Sequence, residues 1–277
     1  VEWIGEIPSH WMRNKLNRIS ERIGDGLHST PKYVDSSEYY FINGNNLVNG
    51  EIKIFDSTKC VSEEEFKKHF IQLNSKTLLL SINGTIGNLS FYNEEKVILG
   101  KSSCYINLKE NINHHFVYYV LKSESISKYF TFELTGTTIF NLSLNSIRNT
   151  PIVIPPENEQ QQIVSFLDDK TEKVDTLIQN KEKKIELLIE KRSSIINQLI
   201  TKGLDSNVRM KDSGVEWIGE IPSHWETTQL RYGCFVKYGI TLQLEKGKTD
   251  GIRILSVKNL GINGELKLND EFYIDEH

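Results

Sequence analysis

Eleven residues occur twice in this chain. Val1-Glu2-Trp3-Ile4-Gly5-Glu6-Ile7-Pro8-Ser9-His10-Trp11 returns unchanged as residues 215–225, an offset of 214 positions. A string with two tryptophans does not recur by chance, so the chain is built on an internal duplication. Further along, the likeness thins. Ile42-Asn43-Gly44-Asn45-Asn46-Leu47, then Gly50-Glu51-Ile52, faces Leu255-Ser256-Val257-Lys258-Asn259-Leu260, then Gly264-Glu265-Leu266. The offset is too long for a solenoid, whose period is about 20–50 residues. What is duplicated is a domain with its connector: one full unit and the opening of a second. The second copy reaches His277 and no initiator methionine is present, so a fragment of a longer chain or a truncated product is expected.

Between the copies lies a long helical signal. Pro155-Pro156 precedes Glu157 and Glu159; proline suits a helix start, and carboxylates favour its positive end. Apolar residues then recur at steps of three and four to Ile200, and Lys202-Gly203 supplies an end. At 1.5 Å per residue such a helix spans roughly 70 Å. It could lie along its own domain. Its narrow stripe and charged flanks, as in Glu182-Lys183-Lys184-Ile185-Glu186, suit a coiled coil better. The stripe residues expected to pack on a partner helix are Ile163, Leu167, Val174, Ile178, Ile185, Leu188, Ile195 and Leu199. The chain contains no second such helix, so the partner lies elsewhere.

Residues 12–154 differ in kind. Short apolar or alternating runs are cut by turn signals: 39–42 before Asn43-Gly44, 77–82 before Asn83-Gly84, then 105–108 and 151–154. Helical stretches are expected at about 62–70, capped by Ser62, and at about 113–130. The fold class is α+β: a domain of mixed strands and short helices over 1–155, a long coiled-coil helix over 156–204, and a linker with an incomplete second domain over 205–277.

The search for chemistry is empty. No GxGxxG or GxxxxGK[ST] loop is present, nor HExxH, GxSxG or an Asn-Pro-Pro-aromatic tetrapeptide. His114-His115 lacks neighbours at metal-ligand spacing and reads as surface. Glu63-Glu64-Glu65 reads as a solvated helix start, and Asp168-Asp169 as the polar face of the long helix. No catalytic or metal-binding residue is assigned. Cys60, Cys104 and Cys234 are odd in number and far apart, which favours a reducing cytoplasm over a disulfide framework. No apolar run approaches the ~20 residues of a membrane span. Residues 1–150 carry sixteen acidic and sixteen basic side chains, so charge does not announce a nucleic-acid partner.

Four turns are rich in small donors and acceptors: 26–33, 82–88, 100–103 and 135–141. Polar turns are ordinary one by one. Gathered on one face, they would supply what major-groove reading needs: Asn for adenine, Lys for guanine, Ser or Thr for either. The candidates are His28, Ser29, Lys32, Asn83, Thr85, Lys101, Ser102, Thr137 and Thr138.

A family resemblance enters here. The run Pro151-Ile152-Val153-Ile154-Pro155-Pro156-Glu157-Asn158-Glu159-Gln160-Gln161-Gln162-Ile163, entering a long helix, resembles the specificity subunit of type I restriction–modification enzymes. So do the helix end Ile200-Thr201-Lys202-Gly203-Leu204, the Trp-Ile-Gly-Glu-Ile-Pro-Ser-His-Trp opening of each unit, and the turn Ser81-Ile82-Asn83-Gly84-Thr85-Ile86-Gly87. The resemblance implies target-recognition domains joined by long antiparallel helices, each domain reading half of a split site on double-stranded DNA. It implies a non-catalytic chain whose partners are methyltransferase and restriction subunits, with S-adenosylmethionine, ATP and Mg on those partners and none here. A truncated subunit of this kind is also expected to self-associate through its helix. Competing readings are a coiled-coil adaptor with no DNA role, a fused methyltransferase or nuclease, and the product of a silent recombination cassette.

Overall fold

The computed structural model describes residues 5–136, 140–239, 251–261, 264–268 and 272–274. The chain divides into two compact units, Val1–Lys184 and Ile185–His277, with the boundary inside the long helix.

The first unit opens with β1 (Met12–Lys15), α1 (Leu16–Ile19), β2 (Ser20–Asp25), β3 (Tyr33–Val34) and β4 (Tyr39–Ile42). The short strands β5 (Leu47–Val48) and β6 (Glu51–Ile52) follow, then β7 (Lys59–Val61), α2 (Glu63–His69), β8 (Thr77–Ser81), β9 (Leu89–Phe91), β10 (Val97–Leu99) and β11 (Ser103–Leu108). The unit closes with α3 (His114–Lys122), α4 (Glu124–Glu133), β12 (Leu134–Thr135), β13 (Asn141–Leu142), α5 (Leu144–Arg148), β14 (Pro151–Ile154) and the start of α6 (Glu157–Lys202).

Two four-stranded sheets carry this unit, in the orders β2-β11-β8-β9 and β10-β4-β7-β3. The first sheet is antiparallel throughout, and β10 runs parallel to β4 in the second. Side chains alternate across a strand, and the first sheet is buried on both faces. Leu78, Leu80, Cys104, Ile106 and Leu108 face a core shared with α3, α4, α5 and Val164 of α6. Leu79 and Tyr105 face the opposite way, packing with Ile42, Leu47, Val97 and Leu99. This is why Thr77–Ser81 is continuously apolar rather than alternating.

The stretch expected as one helix over 113–130 is two. Ser123 sits between them in extended conformation, and its hydroxyl caps α4 by accepting from the Ile126 amide. Serine is a strong helix N-cap, and here capping outweighs continuation. Glu65 corrects the solvated reading of Glu63–Glu65: it is buried, ion-paired to His69 at 3.2 Å, and accepts from the Lys32 amide. His114 and His115 pack as aromatic rings on Phe91, with centroids 5.5 and 4.6 Å away, and among the described residues no group of side chains could hold a metal ion.

The helix α6 is anchored by its first turns. Buried Gln160 donates to Pro155 O at 3.0 Å and accepts from the Asn113 amide. Val164 enters the core, and Asp168 accepts from Tyr119 Oη at 2.6 Å rather than standing free on the polar face. Ile163, expected on the partner-helix stripe, packs on its own domain's core, and Leu167 lines a shallow apolar groove with Trp11, Phe116 and Ile126. Beyond them Val174, Ile178, Ile185, Leu188, Ile195 and Leu199 are 39–58 % exposed. Gly203 ends the helix at φ +75°, the left-handed conformation typical of a glycine C-terminal stop, and its amide bonds to Leu199 O. Among the described residues no helix is long and apolar enough to cross a membrane.

In the second unit β15 (Met210–Asp212) pairs with β16 (Glu220–Pro222), and β17 (Ile252–Ile254) pairs with β18 (Phe272–Ile274). The fainter repeat folds alike in both copies. A 3₁₀ turn at Gly44–Asn46 and another at Val257–Asn259 each carry a reciprocal cap. Asn46 donates to Lys53 O, and Asn259 to Lys267 O, both at 2.8 Å. The backbone bonds returning from Lys53 and Lys267 match as well, at 2.8 and 2.7 Å.

Candidate nucleic-acid interface

The four polar turns lie far apart in sequence and side by side in the fold. Each leaves a strand end on the same edge of the two sheets. The Leu27 amide bonds to Leu99 O at 2.7 Å, and Gly26 N–H bonds to Ser103 O at 3.1 Å, which seats the 26–33 loop against 100–103. Ile82 N–H bonds to Ser102 O at 2.9 Å, seating the 82–88 turn against the same segment. Asn83 bridges Asn141, and Leu142 N–H bonds to Ile82 O, which brings in the hairpin of β12 and β13. The chain at Asn43-Gly44 is woven between them.

Glycine makes the close approaches possible. A Cβ on Gly26 would stand 2.2 Å from Leu99 O, and one on Gly44 would stand 2.0 Å from Ser81 Oγ. Real side chains do not tolerate such distances, so each glycine is required by the approach of a neighbouring loop.

The candidates separate into two kinds. Ser102 is a fastener: its hydroxyl donates to Asn43 Oδ1 and accepts from the Gly44 amide, both at 2.9 Å, and this occupies it within the protein. Thr85 is exposed with its hydroxyl 3.1 Å from Ser81 Oγ. His28, Ser29, Lys32 and Lys101 are exposed, with His28 ion-paired to Asp25 at 2.7 Å. Asn83 is half-buried. Thr137 and Thr138 lie outside the described residues. Sequence reasoning missed Asn43 and Gly44, which tie two of the loops together. The Asn-Gly pair was read as a turn, although its recurrence within the fainter repeat marked the segment. Phe140 and Tyr33 add exposed aromatic surface to two of the loops. Cys104, beneath this edge, is fully buried, and burial pushes its thiol pKa well up, so it behaves as a packed apolar side chain.

Residues 8–187 match the family model described as the type I restriction modification DNA specificity domain. Two curated relatives come from Methanocaldococcus jannaschii. This chain is similar to the type I restriction enzyme MjaVIII specificity subunit, 26 % identical over 200 residues, covering 69 % of this chain and 45 % of that one. It is also similar to the putative MjaX specificity subunit, 28 % identical over 237 residues, covering 82 % and 53 %. The chain thus spans about half the length of the curated relatives it matches. Among solved structures, one concerned with complex assembly and conformational transition of the type I R-M system aligns at TM-score 0.54. It is 17 % identical, covering 70 % of this chain and 47 % of that one, a likeness of fold.

Proposed function

The chain belongs to the type I restriction–modification DNA specificity family, and from that premise we propose that it is a non-catalytic reader of one half of a bipartite DNA site. In this reading it works in the cytoplasm and directs adenine methylation and DNA cleavage by partner methyltransferase and restriction subunits. Those partners hold S-adenosylmethionine, ATP and Mg²⁺. The observation that carries the proposal is the gathering of four polar, glycine-bearing loops on one edge of the domain. Asn83 suits the adenine edge, Lys101 the guanine edge, and Thr85 either. Lys32 and His28 suit phosphate.

Electrostatics assigns the chain a limited share of affinity. Residues 1–150 are neutral, so few counterions leave DNA when the chain binds alone. Tight binding therefore depends on partner subunits. The test maps methylated adenines in cells carrying this chain with its partners, beside Lys101→Ala and Asn83→Ala. A changed or relaxed target sequence supports the reading. An unaltered methylated sequence together with unaltered DNA affinity refutes the loop assignment. Nanomolar binding by the isolated chain at physiological salt refutes the dependence on partners.

The exposed stripe on α6 supports a second long helix as neighbour, supplied by self-association or by another chain. Residues 157–179 carry six acidic and two basic side chains, and residues 180–202 carry three acidic and six basic. An antiparallel neighbour of the same sequence sets acidic half against basic half, and opposes the helix dipoles favourably.

A further inference from the structure

The His–Trp pair that ends each repeated string has no part in reading DNA. In the first copy it holds the start of the long helix. His10 Nε2 lies 3.0 Å from Glu159 Oε2, and Trp11 Nε1 donates to Glu159 Oε1 at 3.1 Å. One carboxylate is gripped by both side chains in the first turn of α6, where negative charge also meets the positive end of the helix dipole. Beside the grip, β1 pairs antiparallel with β14, Met12 opposite Ile154. From β14 the chain passes through Pro155-Pro156 into the helix. The string thus receives a composite segment: a strand, two prolines, and a glutamate opening a helix.

The second copy has the same local form. The Trp225 amide bonds to Pro222 O at 2.9 Å, as the Trp11 amide bonds to Pro8 O at 3.0 Å. Gly219 and Gly5 have φ of +71° and +72°. His224 is exposed beside Trp225, their rings edge-on at 6.3 Å. Residues 226–229 stand where the repeat offset places β1, and they lie exposed outside any strand. Glu159 cannot fill this second site, because the first holds it.

We infer that His224 and Trp225 form a second helix-start clamp, whose occupant is a segment like Pro151–Glu159: an extended strand, Pro-Pro, and a glutamate opening another long helix. An indole N–H and an imidazole meet the carboxylate, and the free backbone of 226–229 takes the strand by edge addition. The inference is independent of the DNA reading.

The probe is a blocked peptide of residues 147–170, titrated into the full chain. One-to-one binding is expected, weakened at least tenfold by His224→Ala, by Trp225→Phe, or by Glu159→Gln in the peptide. His10→Ala in the full chain leaves the peptide affinity within about twofold, because the chain's own segment fills the first clamp at an effective concentration of order millimolar. Hydrogen exchange in the first turn of α6 is expected to quicken at least fivefold in full-length Glu159→Gln. No binding at millimolar peptide, or binding indifferent to both His224→Ala and Trp225→Phe, overturns the second clamp. Unchanged exchange in Glu159→Gln overturns the grip on which it is patterned. His224 is exposed, so its variant keeps the test sound if Trp225→Phe disturbs packing against Gly203.

Discussion

Ser102→Ala decides whether this hydroxyl holds the recognition loops together or faces DNA. The serine Oγ joins two loops through two hydrogen bonds, to Asn43 Oδ1 and from the Gly44 amide. Gly44 is buried, so alanine at 102 strands a buried N–H as well as deleting both bonds. A typical bond contributes about 1 kcal/mol net, and an unsatisfied buried group costs about 1–3 kcal/mol. Part of the Asn43 cost is recovered by solvent, because Asn43 is only half-buried. The expected loss is about 2 kcal/mol, or roughly 4–8 °C in Tm for a unit of this size. Differential scanning calorimetry of the full chain reads it, with the transition of the first unit followed. Hydrogen exchange at the Gly44 amide gives the local readout and should quicken markedly. Thr85→Ala, at an exposed position, serves as control and should cost less than about 0.5 kcal/mol. If Ser102→Ala leaves Tm within 1–2 °C (roughly 0.5 kcal/mol) and Gly44 exchange unchanged while DNA affinity falls, the fastening argument is wrong and the hydroxyl is a contact.

Three further outcomes are expected. Ser103 Oγ is buried with no hydrogen-bond partner among the described residues, so Ser103→Ala should raise stability by about 1 kcal/mol, read by urea unfolding; a loss of similar size would show that the hydroxyl is satisfied in solution. Burial, helped by the neighbouring His115 and Lys76, pushes the His114 pKa down to about 4, below the ordinary 6.5. The folded state therefore resists protonation that the unfolded chain accepts. Stability is complete above pH 6.5 and should fall by about 1–2 kcal/mol toward pH 4, discounted for partial exposure, and His114→Phe should flatten that dependence. Replacing Ile178, Ile185 and Leu188 together by glutamine should leave the unfolding of the first unit unchanged, since all three are at least half exposed, while abolishing any self-association seen by sedimentation; an unaltered sedimentation profile of an associated parent would exclude the stripe as the contact.

Local chemistry made much of this molecule legible in its sequence. The helix expected over 157–203 is found as Glu157–Lys202, because its period, its proline start and its glycine stop act within a few residues of each other. The strands at 39–42 and 151–154 were marked by their turns in the same way. The repeated string disclosed the duplication without any structure. Errors arose where distant residues compete with local preference. Ser123 split a helix by capping its second half, Ile163 turned inward because α6 lies on its own domain's core, and Ser102 became a fastener because Asn43 lies opposite it.

The polar turns were visible one at a time, but their meeting was not. It depends on β11 pairing with both β2 and β8, and on β10 pairing with β4, contacts between residues tens of positions apart. The periodicity of side chains specifies which face of a strand is buried; it does not specify which strand lies beside it. The sequence alone determined a duplicated module with a helix between its copies. Only the tertiary structure decided which turns share an edge, because strand pairing is a long-range choice made by the packed core.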